Sequence, residues 1–192
     1  MKKLTIQQLC VLAFAAVLNI VGASVALLLR LPIYLDTLGT MLGAALFGPL
    51  WGMVPGLVSG LFNGFTSDIY ALYYIPVQLV TGLTAGLIFH KGVPKGWRLI
   101  PSAFLISLPG TIVSASITAG LFGGITSSGS TILVQLLHGA GMNLTLAVCI
   151  VQAVTDYVDR IAVLAAVLAV LPLIPGPIKH SLQKGYQKHG TL

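Results

Sequence analysis

The chain has 192 residues, of which 56% are hydrophobic and 7% are charged, and ten lysines and arginines against four aspartates give it a net charge of +6. An ordinary globular chain is about 25% charged, so this composition excludes a soluble enzyme and a disordered chain. The basic residues lie in short clusters beside apolar segments, as in cytoplasmic loops, and not on a face that would bind phosphates. We therefore predict one all-α integral membrane domain over residues 1–192, with no nucleic-acid partner.

The first apolar segment runs from Leu9 to Leu29, directly after two lysines. Signal peptides have an apolar region of about 7–15 residues, whereas about 20 apolar residues cross a bilayer, so we predict a retained first helix. One face of this helix carries small residues at close to four-residue spacing, namely Ala15, Asn19, Gly22, Ala23 and Ala26. Such a face lets another helix approach closely, either within this chain or from a partner, and the spacing leaves both open.

Six further apolar segments follow, at Leu35–Leu50, Trp51–Phe65, Tyr70–Phe89, Leu99–Phe122, Ile132–Val154 and Ile161–Ile174. The first two of these meet at Gly48 and Pro49, which predicts a tight helical hairpin. Ile132–Val154 is interrupted by glycines, and we predict that it folds back at the outer face without crossing. The result is six transmembrane helices, with a long outer loop or helical hairpin between helices 5 and 6.

Charge distinguishes this arrangement from one with seven spans. With both termini in the cytoplasm, eight of the ten basic residues are cytoplasmic, as the positive-inside rule requires: Lys2, Lys3, Lys91, Lys95, Arg98, Lys179, Lys184 and Lys188. All four acids, with Arg30 and Arg160, then gather at the outer face. A seventh span would place the three C-terminal lysines outside.

Motifs of catalysis are absent from the sequence. It contains no phosphate-binding G-x-x-x-x-G-K-[ST], no H-E-x-x-H and no G-x-S-x-G. Cys10 and Cys149 both lie in apolar segments, and no Cys/His spacing is typical of a zinc site. We predict a protein that is not an enzyme and has no metal or cofactor, so energy for uphill transport would come from another subunit.

Polar residues at the outer ends of the third and fourth spans form one candidate binding site: Asn63, Asp68, Tyr73, Tyr74 and Gln78. Tyr70, Tyr74 and Gln78 are spaced by four and share a helical face, which suits a small planar ligand. An interfacial aromatic belt is the alternative, and it is favoured for Tyr70 alone. For Tyr74 and Gln78 we favour binding, because an amide facing lipid is costly.

A second four-residue row, Gln152, Asp156 and Arg160, could form the opposite wall of that site. Ionisable groups at membrane depth usually face a cavity, although Asp156 and Arg160 could also be a structural ion pair. His138 is a further candidate, with a role as a hydrogen-bonded turn residue as the alternative. The polar stretch 123–130 could approach a ligand through backbone N–H groups, or could be a flexible link.

Five segments together show a resemblance to a known family. Asp36–Thr40, Gly43–Pro49, Gly82–Gly92, Phe122–Thr126 and Asp156–Arg160 resemble the corresponding parts of the S components of energy-coupling factor (ECF) vitamin transporters. The likeness covers nearly the whole chain, and each motif is weak alone. It implies a six-helix substrate-binding subunit in a bacterial plasma membrane, with both termini cytoplasmic and a high-affinity vitamin site near the outer face.

The same resemblance implies partners. They are a transmembrane coupling subunit, which an Ala-x-x-x-Ala motif of the first helix contacts in the family, and two cytoplasmic ATPase subunits. Here Asn19 stands four residues after Ala15, and only Gly22 and Ala26 keep the small-residue spacing. The coupling contacts are therefore predicted around Ala15, Asn19, Gly22, Ala23 and Ala26.

The predicted substrate is a neutral heteroaromatic of the hydroxymethylpyrimidine or pyridoxine type, because the Tyr/Gln face has few fixed charges. Vitamins such as pantothenate or cobalamin are the alternative within the family. A stand-alone secondary transporter or channel is the alternative outside it, and would need acids in the middle of a span, which the predicted spans lack. A membrane enzyme would need a nucleophile or metal set that the sequence does not offer.

Overall fold

A computed structural model describes residues 5–174, and all regular secondary structure in this part of the chain is helical. Its helices are α1 (Ile6–Leu28), α2 (Leu38–Phe47), α3 (Pro49–Thr66), α4 (Tyr70–Tyr73), α5 (Ile75–Lys91), α6 (Leu99–Phe122), α7 (Ser130–Gly139) and α8 (Leu144–Val170), with short 3₁₀ turns at Gly96–Arg98 and Leu171–Leu173. The predicted all-α class is confirmed. The predicted cytoplasmic lysines Lys2, Lys3, Lys179, Lys184 and Lys188 lie outside the described residues.

Two helices in the described range are long and apolar enough to cross a membrane by length and composition, Ile6–Leu28 and Gly96–Phe122 with its leading turn. α1 begins at a capping box, in which the Thr5 hydroxyl accepts from the Gln8 N–H and the Gln8 side chain accepts from the Thr5 N–H. This exchange satisfies two backbone donors that a helix start leaves free. The first helix therefore begins before the apolar segment that predicted it.

α2 is the central helix of the fold. It packs against α1, α3, α5 and α8, and eight of its ten residues are buried. Met41 and Leu46 are almost fully buried there, in one apolar cluster with Ile106 of α6 and Leu164 of α8. At its C-terminal end α2 turns directly into α3 through Gly48, whose φ of 81° is easily reached only by glycine, so the predicted hairpin is confirmed.

The small-residue face of α1 packs inside the chain. Ala15 and Asn19 are 0% exposed, Ala26 is 5% exposed, Gly22 is also buried, and Ala23 is half-buried. A Cβ on Gly22 would lie 2.1 Å from the Leu35 carbonyl oxygen, so the backbone of the next segment occupies this space. The prediction that these residues contact a coupling subunit is therefore wrong, because the chain itself covers the face.

A non-helical segment, residues 29–37, joins α1 to α2 and lies against the Gly22 face. Leu35 within it has a φ of 50°, a left-handed conformation that is uncommon for a residue with a bulky side chain. Such a conformation costs about 1–3 kcal/mol and persists only where the surrounding contacts fix it. The contacts that fix it here are hydrogen bonds to the Asp159 carboxylate of α8.

The end of the chain differs from the prediction. Leu144–Val170 is one continuous helix of 27 residues, so the last helix begins at Leu144 and not at Ile161. α7 packs against it through a short turn, which confirms a hairpin but places its second arm at the start of the last helix. Asn143 caps α8 by accepting from the N–H groups of Thr145 and Leu146. Residues 155–160, which separate the two predicted apolar segments Ile132–Val154 and Ile161–Ile174, contain no Gly or Pro that would end a helix.

We predict that Gly22→Ala destabilises the protein, because the added methyl group collides with the Leu35 carbonyl and must push α1 away. Overpacking of this kind costs about 1–3 kcal/mol in the free energy of unfolding. Gly120→Ala is the matched control, since no heavy atom lies within 4 Å of a Cβ at that helical position. Thermal unfolding of both variants in detergent checks this. Equal melting temperatures for the two would contradict the packing described here.

Candidate ligand-binding cavity

A cavity of about 100 Å³ opens at the end of the bundle where α1, α3 and α6 finish and α2 and α5 begin. Since one water position needs about 10–15 Å³, it has room for roughly seven to ten waters, or for a small organic molecule of similar size. Its polar lining comes from several helices and the loops between them and comprises Ser24, Tyr34, Asp36, Ser59, Asn63, Ser67, Asp68, Tyr70, Tyr74, Gln78, Ser114, Thr126, Ser127, Ser128, Asp156 and Arg160.

Most of the predicted site residues meet in this cavity. Six of the nine line it, namely Asn63, Asp68, Tyr74, Gln78, Asp156 and Arg160. Tyr70 lines it too, so assigning that ring to an interfacial belt was wrong. Two residues expected to contact a coupling subunit, Ala23 and Ala26, also form part of the wall. The sequence thus predicted that the third and fourth apolar segments and the last helix form the cavity wall together. It did not predict that the first helix contributes to the same wall.

Three predicted residues lie elsewhere. Tyr73 is 48% exposed and packs edge-on against Phe122, so its ring points away from the cavity lining. His138 is exposed, and its Nδ1 is 2.9 Å from the Met142 carbonyl oxygen, as expected of a residue that closes a turn. Gln152 is 2% exposed and donates to Thr118, one layer behind the wall. Tyr73 and His138 are therefore removed from the site, and Gln152 supports it from behind.

Asn19 organises the deepest layer of the site. Its Oδ1 accepts from the Gly39 N–H at 2.7 Å, and its Nδ2 donates to the Thr40 hydroxyl at 2.8 Å. It thereby caps the start of α2, where Thr37 makes no side-chain cap. Gln78 continues the network, accepting from Thr40 and donating to the Asp36 carboxylate. Asn19 is thus a positioning residue for the cavity.

Asp156 is held by α6 and not by a basic residue. Its Oδ2 accepts from the hydroxyls of Thr111, at 3.0 Å, and Ser114, at 2.9 Å. The carboxylate is 4% exposed and lies on the cavity wall. No salt bridge of Asp156 occurs within the described part of the chain, so the alternative of a structural pair with Arg160 is wrong.

Arg160 instead pairs with its neighbour Asp159. The guanidinium donates to Asp159 Oδ2 and, at 2.7 Å, to the Thr37 hydroxyl. The other oxygen, Asp159 Oδ1, accepts from the backbone N–H groups of Leu35, at 2.8 Å, and Tyr34, at 3.2 Å. These bonds fix the left-handed Leu35. Two acids and a base therefore lie in the middle of a 27-residue helix, whereas the sequence predicted that they precede the last apolar segment.

Tyr74 is bonded across the cavity to α6. Its hydroxyl lies 2.5 Å from the Thr118 hydroxyl oxygen. Because the Thr118 hydroxyl donates to the Ser114 carbonyl, Tyr74 is the donor in this contact, and Gln152 donates to the same oxygen at 2.9 Å. The Tyr74 ring, which also stacks on Phe122, is therefore fixed in orientation where it lines the cavity.

The loop 123–129 covers one side of the cavity with its side chains. Thr126, Ser127 and Ser128 line the cavity, and the Ser127 hydroxyl donates to the Asp68 carboxylate. Three of its backbone N–H groups are used within the loop and its continuation: those of Thr126, Ser128 and Ser130 donate to Thr131, Thr126 and Ser128 hydroxyls. These three N–H groups are therefore not available for the predicted approach to a ligand.

Two buried polar atoms on the wall have no hydrogen-bond partner in the described residues. They are Asn63 Oδ1, an acceptor, and Arg160 Nε, a donor, on side chains that are 7% and 4% exposed. An unsatisfied buried group costs about 1–3 kcal/mol, so each has reason to bind a ligand atom. In the described range no three His, Cys, Asp or Glu side chains converge in a way that could hold a metal ion.

Sequence reasoning missed several residues that line the cavity. Tyr34 and Asp36 belong to a loop without helical spacing, and Ser114 belongs to a row of hydroxyls in an apolar segment, Ser107, Thr111, Ser114 and Thr118, whose helical spacing was not used. Asp36 carried a usable signal, since it is one of only four acids in the chain. Comparison of the chain with models of protein families, with curated proteins and with solved structures gives no match.

Proposed function

We propose that the chain is a membrane protein with six spans that binds a small molecule as the S component of an ECF-type importer. Support for the membrane comes from large apolar side chains that remain exposed along whole helices, such as Phe14, Val17 and Val21 on α1 and Leu105 and Ile112 on α6. Soluble proteins rarely expose contiguous apolar patches beyond a few hundred Å². Lipid is the environment that such surfaces require.

The proposed spans are α1, α2, α3, α5, α6 and α8. Ten residues of α2 cover about 15 Å, half of a hydrocarbon core of about 30 Å, so α2 crosses only together with residues 29–37. Non-helical backbone is tolerated at membrane depth where it is buried in protein and its polar groups are bonded. The bonds from Tyr34 and Leu35 to Asp159, and from Gly39 to Asn19, meet this requirement.

The orientation follows from the basic residues. Lys91, Lys95 and Arg98 lie together where α5 ends and α6 begins, and the cavity lies at the opposite ends of the same two helices. With the basic end in the cytoplasm, as the positive-inside rule favours, the cavity faces the outside. A subunit that captures its substrate outside the cell requires this placement.

The observation that carries the binding proposal is the cavity, which gathers six of the nine residues predicted from the sequence. Its volume and its rings from Tyr34, Tyr70 and Tyr74 suit one small heteroaromatic molecule, such as hydroxymethylpyrimidine or a pyridoxine-type vitamin. Pantothenate and cobalamin are the alternatives within the same family. Cobalamin is disfavoured here because it greatly exceeds the volume of the cavity.

A vitamin transporter of this kind would work with a coupling subunit and two cytoplasmic ATPases. This part of the proposal rests on the resemblance of Asp36–Thr40 and the four other segments to ECF S components. The contact with the coupling subunit would use an outward face of the helices, since Ala15 and Gly22 are buried.

A stand-alone secondary transporter is the second candidate. It is favoured by one observation, the buried Asp156, Asp159 and Arg160 in the middle of α8, because ionisable groups at membrane depth often carry coupling ions. Such a protein would move substrate with an ion gradient and without ATPases.

Purification from native membranes distinguishes these candidates. We expect the tagged full chain to bring down two ATPase subunits and one large membrane subunit, identified by mass spectrometry, and we expect vesicles holding the chain alone to show no uptake driven by a pH gradient. Gradient-driven uptake by the chain alone, with no ATPase recovered, would establish the secondary transporter instead.

Labelling of single cysteines tests the orientation. In a chain with Cys10→Ala and Cys149→Ala, we expect a membrane-impermeant maleimide to label Ile125→Cys in intact cells, because this exposed residue lies in the loop beside the cavity. Lys95→Cys, exposed at the other end, is the matched control and should react only after permeabilisation. The reverse pattern would contradict the proposed orientation.

A further inference from the structure

We infer that the ligand of this cavity is a small organic cation, an aromatic or heteroaromatic molecule that bears a protonated nitrogen. The inference deepens the proposed function and rests on it, since it assigns the charge of the molecule that the cavity binds. It differs from the expectation of a neutral heteroaromatic, which relied on a face with few fixed charges.

The charge balance of the cavity is negative. Three carboxylates line it, Asp36, Asp68 and Asp156, and none of them forms a salt bridge in the described part of the chain. The one lining guanidinium, Arg160, is already paired with Asp159. Buried charge is costly unless it is compensated, and a positively charged ligand provides the compensation that this protein lacks.

The unsatisfied atoms of the wall point the same way. Asn63 Oδ1 is a buried acceptor without a partner, and only a donor such as an N–H group can satisfy it. Arg160 Nε, the unsatisfied donor, suits a neutral oxygen on the ligand, for example a hydroxyl group. A carboxylate ligand would have to compete with Asp159 for Arg160 while lying near three other acids.

An organic cation is favoured over a metal ion. Within the described residues no three His, Cys, Asp or Glu side chains, Asp36, Asp68 and Asp156 included, converge into a set that could hold a metal ion. Tyrosine faces attract a cation placed within about 6 Å of the ring centre, and Tyr70 and Tyr74 provide two such rings on the wall. Spaced carboxylates and aromatic rings together suit a charge carried on a ring or beside one.

Asp156 is the carboxylate best placed to meet the cationic nitrogen. It is 4% exposed, and the hydroxyls of Thr111 and Ser114 fix one of its oxygens. The other oxygen has no hydrogen bond within the described residues and is free to accept from a ligand. Asp36 and Asp68 are each bonded by a side chain of the wall, Gln78 and Ser127.

Three probes of matched size test the inference: benzylammonium, benzyl alcohol and benzoate. Titration calorimetry on the purified full chain, at neutral pH and with each probe at millimolar concentration, should rank affinity in that order. A hydrogen bond to a charged group is worth about 1.5–3 kcal/mol, so we expect benzylammonium to bind about 10- to 100-fold more tightly than benzyl alcohol.

Asp156→Asn should remove most of that preference, because the amide keeps an oxygen for Thr111 and Ser114 and loses the charge. Gln135→Lys is the matched control, since it adds the same unit of charge at an exposed position of α7 outside the cavity lining. If Asp156→Asn does not fold, Asp68→Asn with the same probes gives the second measurement. The control should keep the ranking of the unmodified chain.

Several results would overturn the inference: equal binding of the three probes, tighter binding of benzoate, no binding of any probe, or an unchanged preference in both aspartate variants. These are separate from failure of the proposed function. A chain that prefers cations but recovers no ATPases would keep the ligand class and lose the ECF assignment. A chain that recovers ATPases but shows no preference would do the opposite.

Discussion

The buried Asp159 carboxylate is the interaction on which the rest of the site depends. One oxygen accepts two backbone N–H groups of the segment between α1 and α2, and the other accepts from Arg160, whose guanidinium also reaches Thr37. If Asp159 bonded only the guanidinium, the two backbone N–H groups would be left without a partner inside the bundle, at a cost of about 1–3 kcal/mol for each group. The helix α8 thus supplies the hydrogen bonds that a neighbouring helix would otherwise have made for itself.

The short α2 follows from this arrangement, and so does the cavity. Residues 29–37 stand where a longer α2 would have placed another turn of helix with its side chains. Tyr34 and Asp36 of this segment therefore lie beside the cavity. Asn19 of α1 likewise accepts hydrogen bonds from backbone N–H groups, since it caps the first turn of α2. The cavity therefore results from an interruption of regular helix. The side chains of Asn19 and Asp159 stabilise this interruption by accepting hydrogen bonds from backbone N–H groups within it and at the start of α2.

Turn residues were sufficient to predict the helical hairpin at Gly48, and the four-residue spacing of polar side chains was sufficient to predict most of the later wall of the cavity. The first helix was harder. A small-residue face has one spacing whether it meets a partner or its own chain, and only the position of Leu35 against Gly22 distinguishes the two. The polar run 155–160 was misread for a related reason: its charges are bonded by α6 and by residues 34–37, which are distant in sequence.

All four acidic side chains of this protein lie in or directly behind one cavity. Every lysine, and every arginine except Arg160 and Arg30, is far in sequence from each of these four acids. Carboxylate side chains therefore take no part in joining the helices at the basic end, where apolar side chains pack them together. If the cavity binds a cation as we propose, dissolved salt weakens that binding and leaves the helix bundle almost unaffected, which separates affinity from stability in a single protein.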